Sequence, residues 1–419
     1  MRSCLVKCKN ITKFLQYSLW IVFFIGITTL VKIPDTNRLY KLFLVLFILY
    51  GGFTVLKGQK IRCSLPVLCL ICFSIISVFS VFWSSEIHID TIIVVLLVTM
   101  VAGIFFGIMN TREKIEQVLW AVVIAVIAEF LYYIYKVGFG DALRSRAVLE
   151  GFNSNQVGIE LVFASIICLY FRAESQRRLP LCIYGILFFF CLLTGSRTAL
   201  ILFVIGGIIF FFHLSIGKGK LRNRIIIGSI LLIVVSLLLF KVDIFYNLIG
   251  RRISYEIIMP MLNSLVGEKS ELAAYNNSNY LRWNMIKYGF EFFSQRPFLG
   301  AGINNYVVLI ANTDLGYVSY AHNNYIELLT DVGMIGFCIY YFPYLLVGVK
   351  IFKQRCNGSP ILRMSLSIWI CLLLADMTGV NYYMMFQRII FMLLLCIVYL
   401  RPEELQCKRG ENISKRESV

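Results

Sequence analysis

Charge is scarce in this chain. Asp, Glu, Lys and Arg make up 15% of its 419 residues against 59% hydrophobic residues, and the acids are outnumbered 23 to 40 by the bases. That composition excludes a soluble domain, and the mean hydropathy of +0.79 points to apolar runs long enough to span a bilayer. Histidine occurs only three times. No His/Cys ligand spacing and no DxD-like carboxylate pair in an outer segment accompanies it, so no metal site emerges. Neither a GxxxxGK followed by Ser or Thr nor a GxGxxG after a strand is present, which argues against ATP or dinucleotide use and leaves no expected cofactor. There is no repeat with a period of about 20 to 50 residues, and the two halves do not align as related bundles, which weakens a transporter reading.

What is there is membrane sequence. Candidate spans lie near residues 14–32, 40–56, 64–83, 90–109, 116–136, 156–171, 179–195, 197–213, 225–240, 325–349, 361–379 and 384–400. The expected fold is therefore all-α, a polytopic membrane protein of about 12 transmembrane helices. A net charge of +17 could suggest nucleic acid, but in a membrane protein it is first a topology signal, because short Lys/Arg-rich loops stay in the cytoplasm. With the N-terminus inside, the inner segments hold Arg2, Lys7, Lys9 and Lys13, then Lys57, Lys60 and Arg62, and so on to the tail from Arg401, whereas the short outer loop SSEIHID holds none. Both termini are expected in the cytoplasm, the chain in the cytoplasmic membrane, and no nucleic acid among its partners. No small-residue cleavage site follows the first span, which reads as a retained anchor. The 13 cysteines fall in spans or inner segments, so no external disulfide framework is expected.

The main asymmetry is the hydrophilic stretch 241–321. It divides the chain into a bundle of nine spans (1–240), a long outer loop (241–321), three further spans (322–400) and a charged tail (401–419) expected to be disordered. Within the loop, Trp283, Ile286, Tyr288, Phe290 and Phe293 suit an amphipathic helix ended by Arg296 and Pro297. FLGAGINNY then forms a glycine-rich turn, and 268–280 is the polar part expected to be mobile.

Several polar groups stand at the outer ends of spans. His322 opens HNNYIELLTDVGMIG, between the long loop and a hydrophobic helix, whereas His88 and His213 read as incidental. On a continuous helix Gly333 and Gly336 would lie beneath His322 on one face, with Glu327 and Asp331 forming a separate i, i+4 face. His322 could act as general base toward a sugar hydroxyl, hydrogen-bond it, or merely sit above a packing groove. Arg197, in TGSRTAL, is either an oxyanion binder or a guanidinium reaching the headgroups. Arg282 is a second diphosphate-ligand candidate or a solvated loop arginine. Asn153 and Asn155, in GFNSNQVG, either bind sugar hydroxyls or cap a helix. Asp376, near the end of a span, is a site candidate with an arginine as its expected partner. Arg144, Arg146, Arg251 and Arg252 add positive charge to the outer face.

Four of these segments resemble the bacterial O-antigen polymerase and O-antigen ligase superfamily, the Wzy and WaaL proteins. HNNYIELLTDVGMIG is similar to the family's His-Asn and Gly-x-x-Gly pattern, and RWNMIKYGFEFFSQRPFLGAGINNY to its Arg-Trp and Pro-x-x-Gly-x-Gly loop. TGSRTALILF and GFNSNQVGIEL resemble its Ser-Arg and Asn-x-Asn segments. The resemblance implies a metal-independent, multispanning glycosyltransferase of GT-C type that uses undecaprenyl-diphosphate-linked glycan. Polysaccharide export or chain-length regulating proteins are further expected partners. Carried over, Arg197 and Arg282 would bind the diphosphate and His322 would activate or orient the acceptor hydroxyl, with Asn153, Asn155, Ser196, Asn323 and Asp376 as substrate-binding candidates. A polymerase is the leading expectation; a ligase moving finished glycan to another acceptor, or a lipid-linked glycan transporter, are the alternatives.

Overall fold

The structure, a computed structural model, describes residues 16–33, 37–56, 64–138, 152–212, 278–316, 318–354 and 359–405. Described helices coincide with every expected span except the ninth, 225–240, which lies outside these residues. They are α1 (Gln16–Lys32), α2 (Asn37–Leu56), α3 (Leu65–Phe79), α4 (Ile89–Ile108), α5 (Arg112–Val137), α6 (Ser154–Ser175), α7 (Leu179–Leu193) and α8 (Arg197–Phe212). After the loop come α9 (Ser278–Gln295), α10 (Tyr306–Ala311), α11 (Asn324–Gln354), α12 (Pro360–Ala375) and α13 (Met385–Val398). Among the described residues there is no strand. Among the described residues five helices are long and apolar enough to cross a membrane, α3 with its short extension to Phe82, α4, α5, α6 and α11, and the apolar stretches of the others are shorter. His213, Arg144, Arg146, Arg251, Arg252 and most of the polar stretch 268–280 lie outside the described residues.

Position in the bundle follows from the composition of each helix. Every residue of α13 is buried, including Gln387 and Arg388 beside its twelve apolar residues, as expected of a helix that is apolar over most of its surface. It packs against α4, α12, α11 and α5, while α6 packs against α5, α7, α8 and α12. The outer helices α2, α3 and α4 instead leave leucine, isoleucine and phenylalanine side chains exposed on one side, the pattern of a surface that meets lipid.

A triad of charges is among the groups buried inside this packing. Lys32, at the end of α1, is paired with Glu129 of α5 and with Glu160 of α6 at 2.7 Å, all three side chains nearly inaccessible. Removing one member of such a set strands the others, at a cost of about 3–5 kcal/mol. Lys32→Met is therefore expected to lower the thermal unfolding temperature of the detergent-solubilised protein markedly; an unchanged temperature would show that the triad does not join α1 to the bundle.

The loop helix α9 lies against α11 and α10. A small separate core forms there from Met285, Tyr306, Ile310, Ala321 and Ile326, with Ile286, Tyr288 and Phe292 packed on it. The expected helix is present, with Tyr288 turned inward while Trp283 is 69% exposed and Phe290 53%. The helix is pinned where Gly289 meets Ile326, and two aromatics are left facing outward. The tail differs from expectation at its start, which forms a short helix, Pro402–Leu405.

Helix α11 is not continuous. At Gly333 the backbone takes φ 63°, ψ −170°, a region that is essentially glycine-only. His322 is itself left-handed, with φ 52°. The expected stacking of Gly333 and Gly336 beneath His322 on one helix face is thereby overturned, because His322 precedes the helix in a left-handed conformation and the helix breaks at Gly333. What breaks the helix is visible in its partners. Ala301 N–H donates to Thr330 O and Gly302 N–H to Asp331 O, both at 2.8 Å, while Met334 and Ile335 N–H donate to Pro297 O and Phe298 O at 2.8 and 3.3 Å. The glycine-rich turn thus supplies the groups that a broken helix would leave unpaired.

Candidate functional site

Two polar clusters gather the residues singled out from the sequence. The first joins the Asn-x-Asn and Ser-Arg segments. Asn153 caps α6, its Oδ1 accepting from Asn155 N–H at 2.9 Å. Ser196 Oγ donates to Asn155 Oδ1 at 2.8 Å and accepts from Ala199 N–H at 3.2 Å, which caps α8. The two helices approach closely here because residue 158 is glycine: a side chain at Gly158 would collide with Ala199. Arg197 is the first residue of α8 and half-buried. A guanidinium at the start of a helix, where free N–H groups and the helix dipole also favour negative charge, suits an anionic ligand.

The second cluster surrounds His322. Its ring lies 4.1 Å from that of Tyr320, and Nε2 is 3.4 Å from Ser319 Oγ. Burial lowers the imidazole pKa from 6.5 to about 4, and the nearby Arg282 guanidinium adds to the effect. His322 is therefore a neutral ring at physiological pH, and Arg282, half-buried on α9, is close enough to act on it. The loop carrying His322 is held from below, where Ala321 N–H donates to the fully buried Glu327 carboxylate at 2.6 Å.

The two asparagines after His322 serve the scaffold. Asn323 Oδ1 accepts from Tyr325 and Ile326 N–H at 3.0 and 3.2 Å, a helix cap. Asn324, fully buried, donates to Tyr341 Oη at 2.8 Å and accepts from Asn381 and Tyr382 N–H at 2.8 and 3.0 Å. Asp376 is 2% exposed. It accepts from Tyr341 Oη and Asn381 Nδ2, both at 2.8 Å, and its carbonyl oxygen accepts from Asn324 N–H at 2.7 Å. Amides and a phenol thus surround Asp376 where an arginine partner was expected, and Arg388 reaches it only by longer-range attraction. Both clusters rest on α12: α8 packs along it, and its C-cap, Asp376, anchors Asn324.

Sequence reasoning passed over Asp331 as a brace. Its two carboxylate oxygens accept from Asn304 and Tyr306 N–H at 2.7 and 2.8 Å, which fixes the turn after Gly302. It also missed Lys32, Glu129, Glu160 and Arg388, although the rule that marked Asp376, that a charge inside a span needs a partner, points to each of them.

The fold and these clusters define an all-α integral membrane protein whose polar machinery is concentrated at one end of the bundle. Residues 182–341 match the family model described as O-Antigen ligase, and this segment supports the chain's place in the O-antigen polymerase and ligase superfamily, whose members are glycosyltransferase-like enzymes. The matched segment contains Ser196, Arg197, Arg282, His322 and Asn323, whereas Asn153, Asn155 and Asp376 fall outside it. No curated protein sequence matches the chain.

Proposed function

We propose that this protein is a polysaccharide polymerase, transferring a growing glycan from one undecaprenyl diphosphate onto a lipid-linked repeat unit on the outer face of the cytoplasmic membrane. The reading takes the chain as a twelve-span GT-C-type bundle with both termini in the cytoplasm. Arg197 and Arg282 bind the diphosphate, and His322 accepts or orients the proton of the acceptor hydroxyl. The observation that carries the proposal is a desolvated His322, stacked on Tyr320 and kept neutral by burial with the Arg282 charge adding to the effect. A base that stays unprotonated beside a cation is what transfer from a diphosphate to a hydroxyl requires, since one group must take the proton while another holds the leaving anion. Ser196, Asn153 and Asn155 set the start of α8 and so the place of Arg197. A ligase is the second reading, favoured by the description of the family model that residues 182–341 match.

The deciding experiment is the size distribution of lipid-linked glycans in cells lacking the protein. Single repeats accumulating on the lipid, with the ladder restored by the wild-type chain, support a polymerase. Full-length polymer stranded on the lipid supports the ligase, and an unchanged pattern sinks both. Arg197→Gln and Arg282→Gln should each lower the transfer rate by about 10²- to 10³-fold, the loss of about 2.7–4 kcal/mol typical of one oxyanion-stabilising group. Transfer within a few-fold of wild type would remove that arginine from the diphosphate site.

A further inference from the structure

A cavity of about 310 Å³ opens at the same end of the bundle, lined by Asp90, Thr91, Val94, Asn304 and Tyr383. Its volume is at the lower end of the roughly 300–1,000 Å³ typical of small-molecule sites. Asp90 and Val94 are exposed, so its mouth is open, while Thr91, Asn304 and Tyr383 are half-buried. Its lining contains a carboxylate, a hydroxyl, an amide and a phenol but no cation. That set repels a diphosphate and suits neutral hydroxyls, with an aromatic ring to lie against the C–H face of a pyranose.

The wall is built in advance. Asn304 sits in the left-handed region at φ 59°, held there by its N–H bond to Asp331. Strain of this kind persists only where surrounding structure enforces it, and it gathers at ligand sites. The neighbouring Asn305 is a brace instead: its amide bonds Ser85 and both backbone groups of Glu86, which fixes the segment leading to Asp90. Burial raises the pKa of Tyr383, and Glu327 and Tyr320 raise it further, so it remains a neutral donor.

We propose that this cavity is the subsite for the sugar portion of the acceptor glycan, placing its hydroxyls against Tyr383 and Asn304 at the end of the bundle that carries His322. The proposal rests on the polymerase or ligase reading for its biological substrate but claims a binding site in its own right. Sugar recognition here is separate from the arginines, so the glycan should bind without its lipid diphosphate.

The probe is the oligosaccharide released by mild acid from the total lipid-linked glycan fraction of cells lacking the protein. Its binding to the full-length protein in nanodiscs is measured by saturation-transfer NMR titration, beside a transfer assay with the intact lipid-linked material. Wild type should bind the free oligosaccharide. Tyr383→Leu, and the double variant Asp90→Asn with Asn304→Gly, should each weaken it about ten-fold, the loss of one or two hydrogen-bonding or stacking contacts. Tyr383→Phe, which keeps the ring, should retain most of the affinity, and glycine at 304 keeps the left-handed backbone. Equal thermal unfolding of variants and wild type guards against misfolding. No binding by wild type, or wild-type affinity in both Tyr383→Leu and the double variant, overturns the subsite even where transfer proceeds. Binding that depends on Tyr383 with no transfer by wild type leaves the subsite standing and removes the enzymatic reading.

Discussion

Replacing His322 with alanine is expected to stop glycan transfer while leaving the protein folded. A positioned acid–base group contributes about 10²- to 10⁴-fold, and a loss of that size would leave single repeats on the lipid in cells complemented with the variant. The pH profile adds a sign that position alone cannot supply. The working form is the neutral ring, and its pKa is lowered to about 4, so the rate should hold from neutrality downward and halve only near that value. A ring with the ordinary pKa of 6.5 would halve the rate well before that. Arg282→Gln removes the positive neighbour and should move the half-point upward, though burial, the larger cause, keeps it below the ordinary value. Stability follows the same sign: the folded state disfavours the protonated ring, so this contribution is present above pH 6.5 and is lost as pH falls toward 4. His322→Gln separates two roles, because it can hydrogen-bond a hydroxyl but cannot take its proton. Near-wild-type transfer by that variant would make His322 an orienting group, and a normal ladder with His322→Ala would remove it from the reaction.

Why the helices were legible and the site only partly so is clear from particular residues. A span announces itself through a run of apolar residues, and the bounds read for 179–195 and 325–349 lie within a few residues of α7 and α11. Polar contacts across the fold carry no such local signal. Asn155 and Ser196 were each singled out by their segments, yet the bond between them crosses 41 positions of chain. Lys32, Glu129 and Glu160 lie in three different helices, and each alone is a charge without a visible partner; only their meeting shows that they are one group. The aromatic pattern of 281–302 correctly indicated a helix but could not say which aromatics turn inward, because hydrophobicity marks lipid-facing and core-facing residues alike. In HNN, composition could not tell that the second asparagine is the deeper brace, since that depends on a turn more than fifty residues later.

The break at Gly333 was the least legible feature, because VGMIGFCIYYF reads as uninterrupted membrane helix, and it yields a prediction of comparable size. Gly333→Ala is expected to uncouple the FLGAG turn from α11. The backbone there occupies a region closed to residues with a side chain, a strain of about 1–3 kcal/mol, and an added Cβ would also strike the Phe298 carbonyl. Relief by straightening the helix would cost the four hydrogen bonds from Ala301, Gly302, Met334 and Ile335, each worth about 1 kcal/mol. The variant therefore either keeps the strain, about 1–3 kcal/mol together with the clash, or straightens and loses about 4 kcal/mol of hydrogen bonds, and the second route releases the turn. Asp331 would then lose its hold on Asn304 and Tyr306, and the support beneath His322 would loosen with it. Hydrogen exchange should rise in residues 297–306 while α13 stays protected, and transfer should fall although His322, Arg197 and Arg282 are all still present. Gly185→Ala is the control: Gly185 lies within α7 and an added side chain there meets nothing within 4 Å, so it should leave exchange at 297–306 unchanged. Equal protection of that segment in Gly333→Ala and wild type would mean that the helix break is not what holds the turn, and that the loop reaches His322 by other contacts.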